Sequence, residues 1–388
     1  MNKYVKKAAL MIPYVKGYYE EIIRYHLEIE HLYSEIENLC STGIQYQSCW
    51  YIEALNIRFV GRIDTSSKCI GFCCEPHIKA PYITLCETPE ESIMNFVKLR
   101  AEMIAESIRF SLLGRYAKDD DRKFTSECAK CPRFELNNWR AGEGLIHAIN
   151  LSMYPSPCQC KCVYCNVPHD LSMRQLSAES LESYEKVFAI IDCAHKNGII
   201  ARDIIWGVSC GEITIHPFRD RILTLIKDQT ASILTNCFIF DERIAANLSV
   251  NQQSFMQFSI DSGTPETWYK VKGVDNFKTV MENLTKYLSS GVRPEQIQLK
   301  YIVIPGINDN LEDFRSFIGI VKNLKINLLD ISADINTRQR ESLIRPAGYF
   351  LAMLRKNDIE PSFNIHFFPD EIEKINTLAD ELLETGEI

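Results

Sequence analysis

From about Ala141 to Phe368, short apolar runs alternate with longer segments whose apolar residues recur every three or four positions. The short runs are nearly continuously apolar, which is typical of parallel strands covered by helices. The longer segments carry the period of amphipathic helices. The principal short runs are IHAINLSM, DIIWGVS, ASILTN, FMQFSID, IQLKYIVIPG, INLLDISAD and FNIHFF. This alternation predicts an α/β domain over residues 141–388, with six or seven strands each followed by a helix.

The number of βα repeats limits the shape of this domain. Six or seven repeats are too few to close an eight-stranded barrel. We therefore expect a partial (β/α)6 TIM-like barrel that stays open and ends in a C-terminal strand and helix. In such folds the chemistry lies at the C-terminal ends of the strands.

Residues 1–140 break this rhythm. A helical segment is followed by a pattern typical of a small β-hairpin, by a second helix and by the cysteine pair in SECAKCPRF. We expect an N-terminal α+β extension that is rich in cysteine and that carries no strand–helix repeat.

Composition and charge narrow the function. The chain has 388 residues, of which 46% are hydrophobic and 24% charged, as in globular proteins. The net charge is −8 and no basic run stands out, so a nucleic-acid partner is not expected. There is no apolar run long enough to cross a membrane and no pattern of a signal peptide, so we expect a cytoplasmic protein without a membrane partner.

The 15 cysteines include four within the eight residues CQCKCVYC, namely Cys158, Cys160, Cys162 and Cys165. Disulfides, zinc and an iron–sulfur cluster are the three explanations. Structural disulfides are rare in a reducing compartment, and zinc usually takes paired cysteines separated by a longer loop. The run also follows the first predicted strand of the barrel, at its catalytic end.

Cys158, Cys162 and Cys165 fit the spacing Cys-x3-Cys-x2-Cys, with the aromatic Tyr164 before the last cysteine. This loop resembles the cluster loop of the radical S-adenosylmethionine (radical SAM) superfamily. The resemblance implies that the three thiolates hold three irons of a [4Fe-4S] cluster, that Tyr164 belongs to the cofactor site, and that the fourth iron binds S-adenosylmethionine. Cys160 is then a spare ligand or a plain loop residue.

The segment WGVSCGEITIHP after the second strand resembles the Gly-Gly-Glu-Pro element of the same superfamily. The resemblance implies that Gly211 and Glu212 face the ammonium group of S-adenosylmethionine. The alternative is a strand-to-helix turn with a capping glutamate. Cys210 replaces the first glycine and is either a hydrogen-atom donor to a substrate radical or a buried thiol without a role in catalysis.

The fourth strand ends in FSIDSGTP, which resembles the Ser-Ile-Asp run of the superfamily. Ser259 and Asp261 are two residues apart and share one face of a strand. They either reach the ribose hydroxyls or the substrate, or Asp261 caps the next helix.

The fifth strand, LKYIVIPGINDN, resembles the superfamily segment that lies behind the adenine ring. The resemblance implies that Lys300 binds the carboxylate of S-adenosylmethionine and that the apolar Ile302, Val303 and Ile304 contact the ring. The whole resemblance extends from about Gly144 to Thr337.

The N-terminal extension contains a second group of cysteines. Cys128 and Cys131 form a two-ligand chelate, and Cys49 with either Cys73 or Cys74 completes a four-thiolate set. An auxiliary [4Fe-4S] cluster, structural zinc and ordinary core packing remain as the three explanations.

The resemblance implies an enzyme that cleaves S-adenosylmethionine reductively to a 5′-deoxyadenosyl radical. That radical removes a hydrogen atom from a peptide, a protein or a glycosyl-type polar metabolite. A one-electron reductase such as flavodoxin or ferredoxin is the expected electron donor. The alternative is a non-catalytic metal-binding scaffold on the same barrel, because a fold does not fix a function.

Overall fold

The computed structural model describes individual helical positions between residues 24 and 38, and residues 43–61, 68–73, 80–113, 123–139, 144–152, 156–165, 178–209, 211–364 and 366–388. The chain divides into two compact units. Unit 1 comprises residues 1–149 and 182–204, and unit 2 comprises residues 150–181 and 205–388. The boundary that the sequence predicts after residue 140 stays a prediction.

Unit 1 contains short antiparallel strands and long helices. Strand β1 pairs with β5, and β2, β3 and β4 form an antiparallel ribbon. The strands are β1 (Tyr46–Ser48), β2 (Ile57–Gly61), β3 (Lys68–Gly71), β4 (Tyr82–Thr84) and β5 (Glu135–Asn137). The helices are α1 (Trp50–Glu53), α2 (Pro89–Leu113) and most of α3 (Ala178–Lys196). Strands β6 (Ile146–Ser152) and β7 (Ile200–Val208) each run across the boundary between the units.

Helix α2 provides much of the core of unit 1. Its buried residues recur every three or four positions, which gives the helix one apolar face: Ile93, Phe96, Val97, Met103, Ile104 and Ile108. Arg100 lies on the same face and is 1% exposed. Its guanidinium donates hydrogen bonds to the carbonyls of Ile52 (2.6 Å) and Glu53 (2.7 Å), at the end of α1. Arg100 thus joins helix α2 to the C-terminal end of helix α1.

Unit 2 is built on a parallel sheet. Its strands lie in the order β7, β8, β9, β10, β11, β12, and each neighbouring pair is parallel. The further strands are β8 (Thr230–Leu234), β9 (Phe255–Ser259), β10 (Ile297–Val303), β11 (Leu328–Ala333) and β12 (Ser362–Phe363). The helices are α4 (Arg219–Leu225), α5 (Glu242–Val250), α6 (Pro265–Lys272), α7 (Phe277–Ser289), α8 (Leu311–Leu324), α9 (Glu341–Arg355) and α10 (Pro369–Thr385). The strand order is linear, which confirms the prediction of an open α/β sheet.

The central strands of unit 2 have two different faces. Side chains on the outer face are fully buried: Met256, Phe258, Ile297, Leu299 and Tyr301. Side chains between them are partly exposed and match in register across the strands, as Gln257 with Gln298 and Ser259 with Lys300. Of these inner-face residues, Ser259 and Lys300 border a cavity.

The buried side chain of Gln296 caps the C-terminal end of helix α5. The amide nitrogen Nε2 of Gln296, 2% exposed, donates to the carbonyls of Leu248 (2.6 Å), Asn251 (3.0 Å) and Ser254 (2.9 Å). The two N–H groups of this amide thus lie within hydrogen-bonding distance of three carbonyl groups between the end of α5 and the start of β9.

Within the described residues, no helix combines the length and the apolar character that crossing a bilayer requires.

We expect Gln296→Ala to lower the free energy of unfolding by about 2–3 kcal/mol, because buried carbonyls lose their donor. Urea denaturation followed by circular dichroism measures the change. The control is Lys278→Ala, since Lys278 has a side chain that is 91% exposed and should shift stability by less than about 0.5 kcal/mol. Equal stabilities of the two variants would contradict the structural role of Gln296.

Candidate active site

Unit 2 contains a cavity of about 350 Å³ at the C-terminal ends of its strands. Its wall includes the cysteine loop and residues in or just after successive strands, among them Cys158, Cys162, Gly211, Asn236, Ser259 and Lys300. The volume lies within the range of small-molecule sites. Five of these six residues were expected in the site from sequence, and the fold brings them to one wall.

The cysteine loop presents its thiols to this cavity. Cys158 and Cys162 are half-buried, Cys165 is exposed, and Cys160 is buried. The thiol of Cys160 contacts both Cys158 and Cys162, and its hydrogen bond to Cys162 lowers the pKa of that residue to about 6 against the opposing effect of burial. Cys162 is therefore prepared to act as a thiolate, the form that binds metal.

Helix α6 holds the cysteine loop through backbone hydrogen bonds. The amides of Lys161 and Val163 donate to the carbonyls of Lys272 (2.8 Å) and Val271 (3.0 Å). Gly273 follows with φ +68°, and a Cβ atom there would lie 3.0 Å from Cβ of Lys161. A glycine at this helix end therefore allows the left-handed conformation and the close approach of the loop.

A buried ion pair lies next to the loop. The ammonium of Lys272, which is 3% exposed, donates to Oδ2 of Asp261 (2.5 Å) and to the hydroxyl of Tyr164 (2.7 Å). The Tyr164 hydroxyl donates to the same carboxylate oxygen at 2.7 Å. Burial disfavours the Lys272 ammonium, but the negative charges of Asp261, Cys162 and Cys160 together outweigh that effect and raise the pKa of Lys272. Lys272 was not singled out by sequence, since nothing local distinguishes a lysine in the last turn of a helix.

Asp261 is fully occupied by protein contacts. Its second oxygen, Oδ1, accepts from the amide of Ile302 (2.7 Å), and its backbone carbonyl accepts from Nδ2 of Asn308 (2.9 Å). Its side chain is 0% exposed. These contacts favour an anchoring role for Asp261 over contact with a ribose, whereas Ser259 does lie on the cavity wall.

Gly211 brings the turn after β7 against the cysteine loop. A Cβ atom at this position would lie 2.6 Å from Cβ of Ser156 and 2.7 Å from the carbonyl of Pro157. Its φ of +62° is also in the region that favours glycine. The turn therefore requires glycine, and Gly211 forms part of the cavity wall. Its neighbour Cys210 lies outside the described residues.

Glu212 is buried behind this wall. Its carboxylate accepts hydrogen bonds from the amide and hydroxyl of Thr214 (3.0 and 2.6 Å), the hydroxyl of Thr235 (3.0 Å) and the amide of Asn236 (2.6 Å). Burial raises the pKa of Glu212 despite these donors. Both oxygens are engaged, which favours the capping interpretation over contact with an ammonium group.

The fifth strand contributes a lysine to the cavity. Lys300 lies on the wall, and no described residue accepts a hydrogen bond from its ammonium. Burial lowers the pKa of Lys300, although Asp330 on the next strand opposes the shift. The carboxylate of Asp330 is engaged by the Ser362 hydroxyl (3.2 Å) and by the Asn364 amide (2.7 Å). Lys300 is thus a cation that faces the cavity without a bonded anion.

Some apolar residues in and after the fifth strand lie near the cavity, and another is buried away from it. Ile302 and Ile304 pack with Val271 and against Tyr164, and Ile302 reaches the cavity wall. Val303 is fully buried and is not among the residues of the wall.

Unit 1 contains a second group of cysteines. Cys49, Cys73, Cys128 and Cys131 line a separate, apolar cavity of about 20 Å³. Burial, together with the neighbouring thiols, raises the pKa of Cys49 to about 11 and that of Cys128 to about 12. Cys74 lies outside the described residues.

Neither the cysteine loop nor the described cysteines of unit 1 are arranged around a single metal ion. In the part of the chain that the structure describes, no three His, Cys, Asp or Glu side chains are positioned to hold one metal ion. In a four-iron cube each thiolate binds a different iron, so the ligands lie further apart than they do around one ion.

The chain is similar to known radical SAM proteins. Residues 157–318 match the model of the radical SAM superfamily. A GTP 3′,8-cyclase of Desulforamulus reducens is 26% identical over 171 residues, which are 44% of this chain and 50% of that protein. A GTP 3′,8-cyclase of Petrotoga mobilis is 25% identical over 182 residues, 45% of this chain and 52% of that protein. The chain spans about half the length of these curated relatives.

Among solved structures, Streptococcus suis SuiB bound to the precursor peptide SuiA has a TM-score of 0.41 and 12% identity, over 83% of this chain and 73% of that chain. A radical SAM methyltransferase from Sphaerobacter thermophilus has a TM-score of 0.35 and 16% identity, over 54% of this chain and 63% of that chain.

The sequence match begins next to the first cysteine of the loop and includes the turn that carries Gly211 and the strands that carry Ser259 and Lys300. The matched region therefore contains both the spaced cysteines and most of the strands of the open parallel sheet. Residues 157–318, which contain the cysteine loop and these strands, are thus similar to the radical SAM superfamily.

Proposed function

We propose that this enzyme cleaves S-adenosylmethionine reductively and removes a hydrogen atom from a polar substrate. The observation that carries the proposal is that Cys158, Cys162, Cys165, Gly211 and Lys300 lie on the wall of one cavity. A [4Fe-4S] cluster held by Cys158, Cys162 and Cys165 would supply the electron for reductive cleavage of the C5′–S bond of S-adenosylmethionine to methionine and a 5′-deoxyadenosyl radical, which would take a hydrogen atom from the substrate.

The donor set of the loop fits such a cluster. Thiolates are the ligands that iron–sulfur clusters take, and the three cysteines of the spacing leave one iron without a protein ligand. Cys160 contacts the sulfurs of Cys158 and Cys162, and its single S–H donates a hydrogen bond to one of them at a time. In this proposal the buried Lys272–Asp261 pair holds the loop, and the protein excludes solvent from the cavity.

Two wall residues are suited to S-adenosylmethionine. Gly211 lets the turn after β7 pack directly against the cysteine loop at the cavity wall, and Lys300 offers an ammonium for the carboxylate of the ligand. Ser259, on the same wall, offers a hydroxyl for the ribose.

The substrate that we propose is polar, because the cavity wall carries, beyond the residues assigned to S-adenosylmethionine, the polar side chains of Ser209, Asp334 and His366. A peptide, a protein side chain or a glycosyl-type metabolite meets this condition, and so does the nucleotide that the names of the curated relatives indicate for those proteins. A one-electron reductase such as flavodoxin or ferredoxin is the proposed electron donor.

We further propose a second [4Fe-4S] cluster in unit 1. Its ligands would be Cys49, Cys73, Cys128 and Cys131, which share one small cavity. Four thiolates leave no open iron, so this centre would serve structure or electron transfer. The choice of Cys73 over Cys74 rests on the position of Cys73 in that cavity.

We expect the triple variant Cys158→Ser/Cys162→Ser/Cys165→Ser to lose 5′-deoxyadenosine formation, because hydroxyls are poor substitutes for thiolate ligands. Anaerobic assays with a chemical reductant and S-adenosylmethionine measure the product. The matched control is Cys160→Ser, which should keep most of the activity. The same loss in both proteins would show that the ligand set is misassigned, and a wild-type protein without product would favour a scaffold.

We expect Lys300→Met to weaken S-adenosylmethionine binding by about 10- to 100-fold, since a charge-assisted hydrogen bond contributes about 1.5–3 kcal/mol. Decarboxylated S-adenosylmethionine lacks the proposed partner of Lys300. Its affinity should therefore fall less than about threefold on the same substitution. Anaerobic equilibrium dialysis gives both affinities, with the exposed Lys278→Met as the control variant. Equal losses for the two ligands would mean that Lys300 does not bind the carboxylate.

We expect wild-type protein to contain about eight irons and a Cys128→Ala/Cys131→Ala variant about four. Iron, zinc and sulfide analysis after anaerobic reconstitution tests this. Cys86→Ala is the control, because Cys86 is in the same unit but not on the cavity wall. Unchanged metal content in the double variant would leave these cysteines as core residues.

A further inference from the structure

Asn236 connects the end of β8 to the cysteine loop. It follows the strand by two residues and lies on the cavity wall. Its amide nitrogen Nδ2 lies 3.7 Å from the sulfur of Cys158, 3.7 Å from the sulfur of Cys160 and 2.9 Å from Oε1 of Gln159. The 3.7 Å contacts are within hydrogen-bonding distance for sulfur, so one side chain reaches three successive residues of the loop.

The orientation of this amide is fixed by its other contacts. Its oxygen Oδ1 accepts from the backbone amide of Phe238 at 3.1 Å, which assigns the nitrogen to the cysteine side. The backbone amide of Asn236 donates to Glu212 Oε2 at 2.6 Å. Because Glu212 is 0% exposed and is also held by Thr214 and Thr235, it gives Asn236 a rigid support.

We infer that Asn236 is a positioning residue that donates an N–H···S hydrogen bond to Cys158 and thereby raises the reduction potential of the cluster. The inference rests on the proposed function, since it requires a cluster on Cys158. It also gives the buried Glu212 a purpose, which is to hold Asn236 in place.

The direction of the effect follows from charge. Reduction adds one electron to a cluster that is held by anionic thiolates. A fixed N–H dipole directed at one of these sulfurs stabilises the added negative charge, and hydrogen bonds to the sulfurs are among the factors that set cluster potentials. Removal of the donor should therefore make the cluster harder to reduce.

The experiment is a redox titration of the reconstituted protein, followed by electron paramagnetic resonance without S-adenosylmethionine. At a given potential we expect Asn236→Ala to lower the ratio of reduced to oxidised cluster about tenfold, as the loss of a hydrogen bond of about 1.4 kcal/mol predicts. For a one-electron couple this is a shift of about 59 mV to more negative potential. Gln159→Ala is the matched control, because it removes the neighbouring contact of Asn236 and leaves the N–H···S bond.

Asn236→Ala with full iron content and the wild-type potential would overturn the inference, as would an equal shift in Gln159→Ala. If Asn236→Ala binds no iron, the iron content of Asn236→His and Asn236→Asp tests the inference instead. The histidine can place an N–H at the position of Nδ2 and should recover the cluster, whereas the aspartate offers no donor and should not. Failure of the histidine variant, or recovery by the aspartate, would count against the inference. A wild-type protein that binds no cluster would instead refute the proposed function.

Discussion

The buried ion pair between Lys272 and Asp261 is the interaction on which the site depends. It joins the end of α6, the end of β9 and, through Tyr164, the cysteine loop. The other carboxylate oxygen of Asp261 accepts from the amide of Ile302 in β10. Loss of one partner from a buried pair costs about 3–5 kcal/mol, because the remaining charge stays buried without compensation. The same pair therefore stabilises the sheet end and sets the position of the loop.

The two groups of cysteines differ in their surroundings, and this difference separates their proposed roles. The thiols of Cys158, Cys162 and Cys165 border a cavity of about 350 Å³ and are partly accessible. The four thiols in unit 1 enclose a cavity of about 20 Å³, where burial raises the pKa of Cys49 and Cys128. An accessible site with an open iron suits chemistry on a ligand, whereas a closed four-thiolate site suits structure or electron transfer.

Periodicity and cysteine spacing predicted the open α/β sheet and the residues of the loop, because both are properties of short segments. Residues distant in sequence were harder to assign. Lys272 and Asp261 are 11 residues apart and meet Tyr164 across 97 residues or more, which only the folded chain reveals. Asn236 carried a signal, since it follows a strand at the catalytic end of the sheet. The engaged carboxylates of Glu212 and Asp261 could not be foreseen, because a sequence does not show which donors surround a carboxylate.

We propose that the cysteine loop holds a cluster whose open iron binds S-adenosylmethionine. Electron–nuclear double resonance of the reduced protein tests this binding, with ¹⁵N in the amino group of S-adenosylmethionine and ¹⁷O in its carboxylate. We expect hyperfine coupling from both labels to the cluster, because in this proposal both groups bind the fourth iron. A reduced cluster that shows no coupling to either label would mean that S-adenosylmethionine does not bind the open iron.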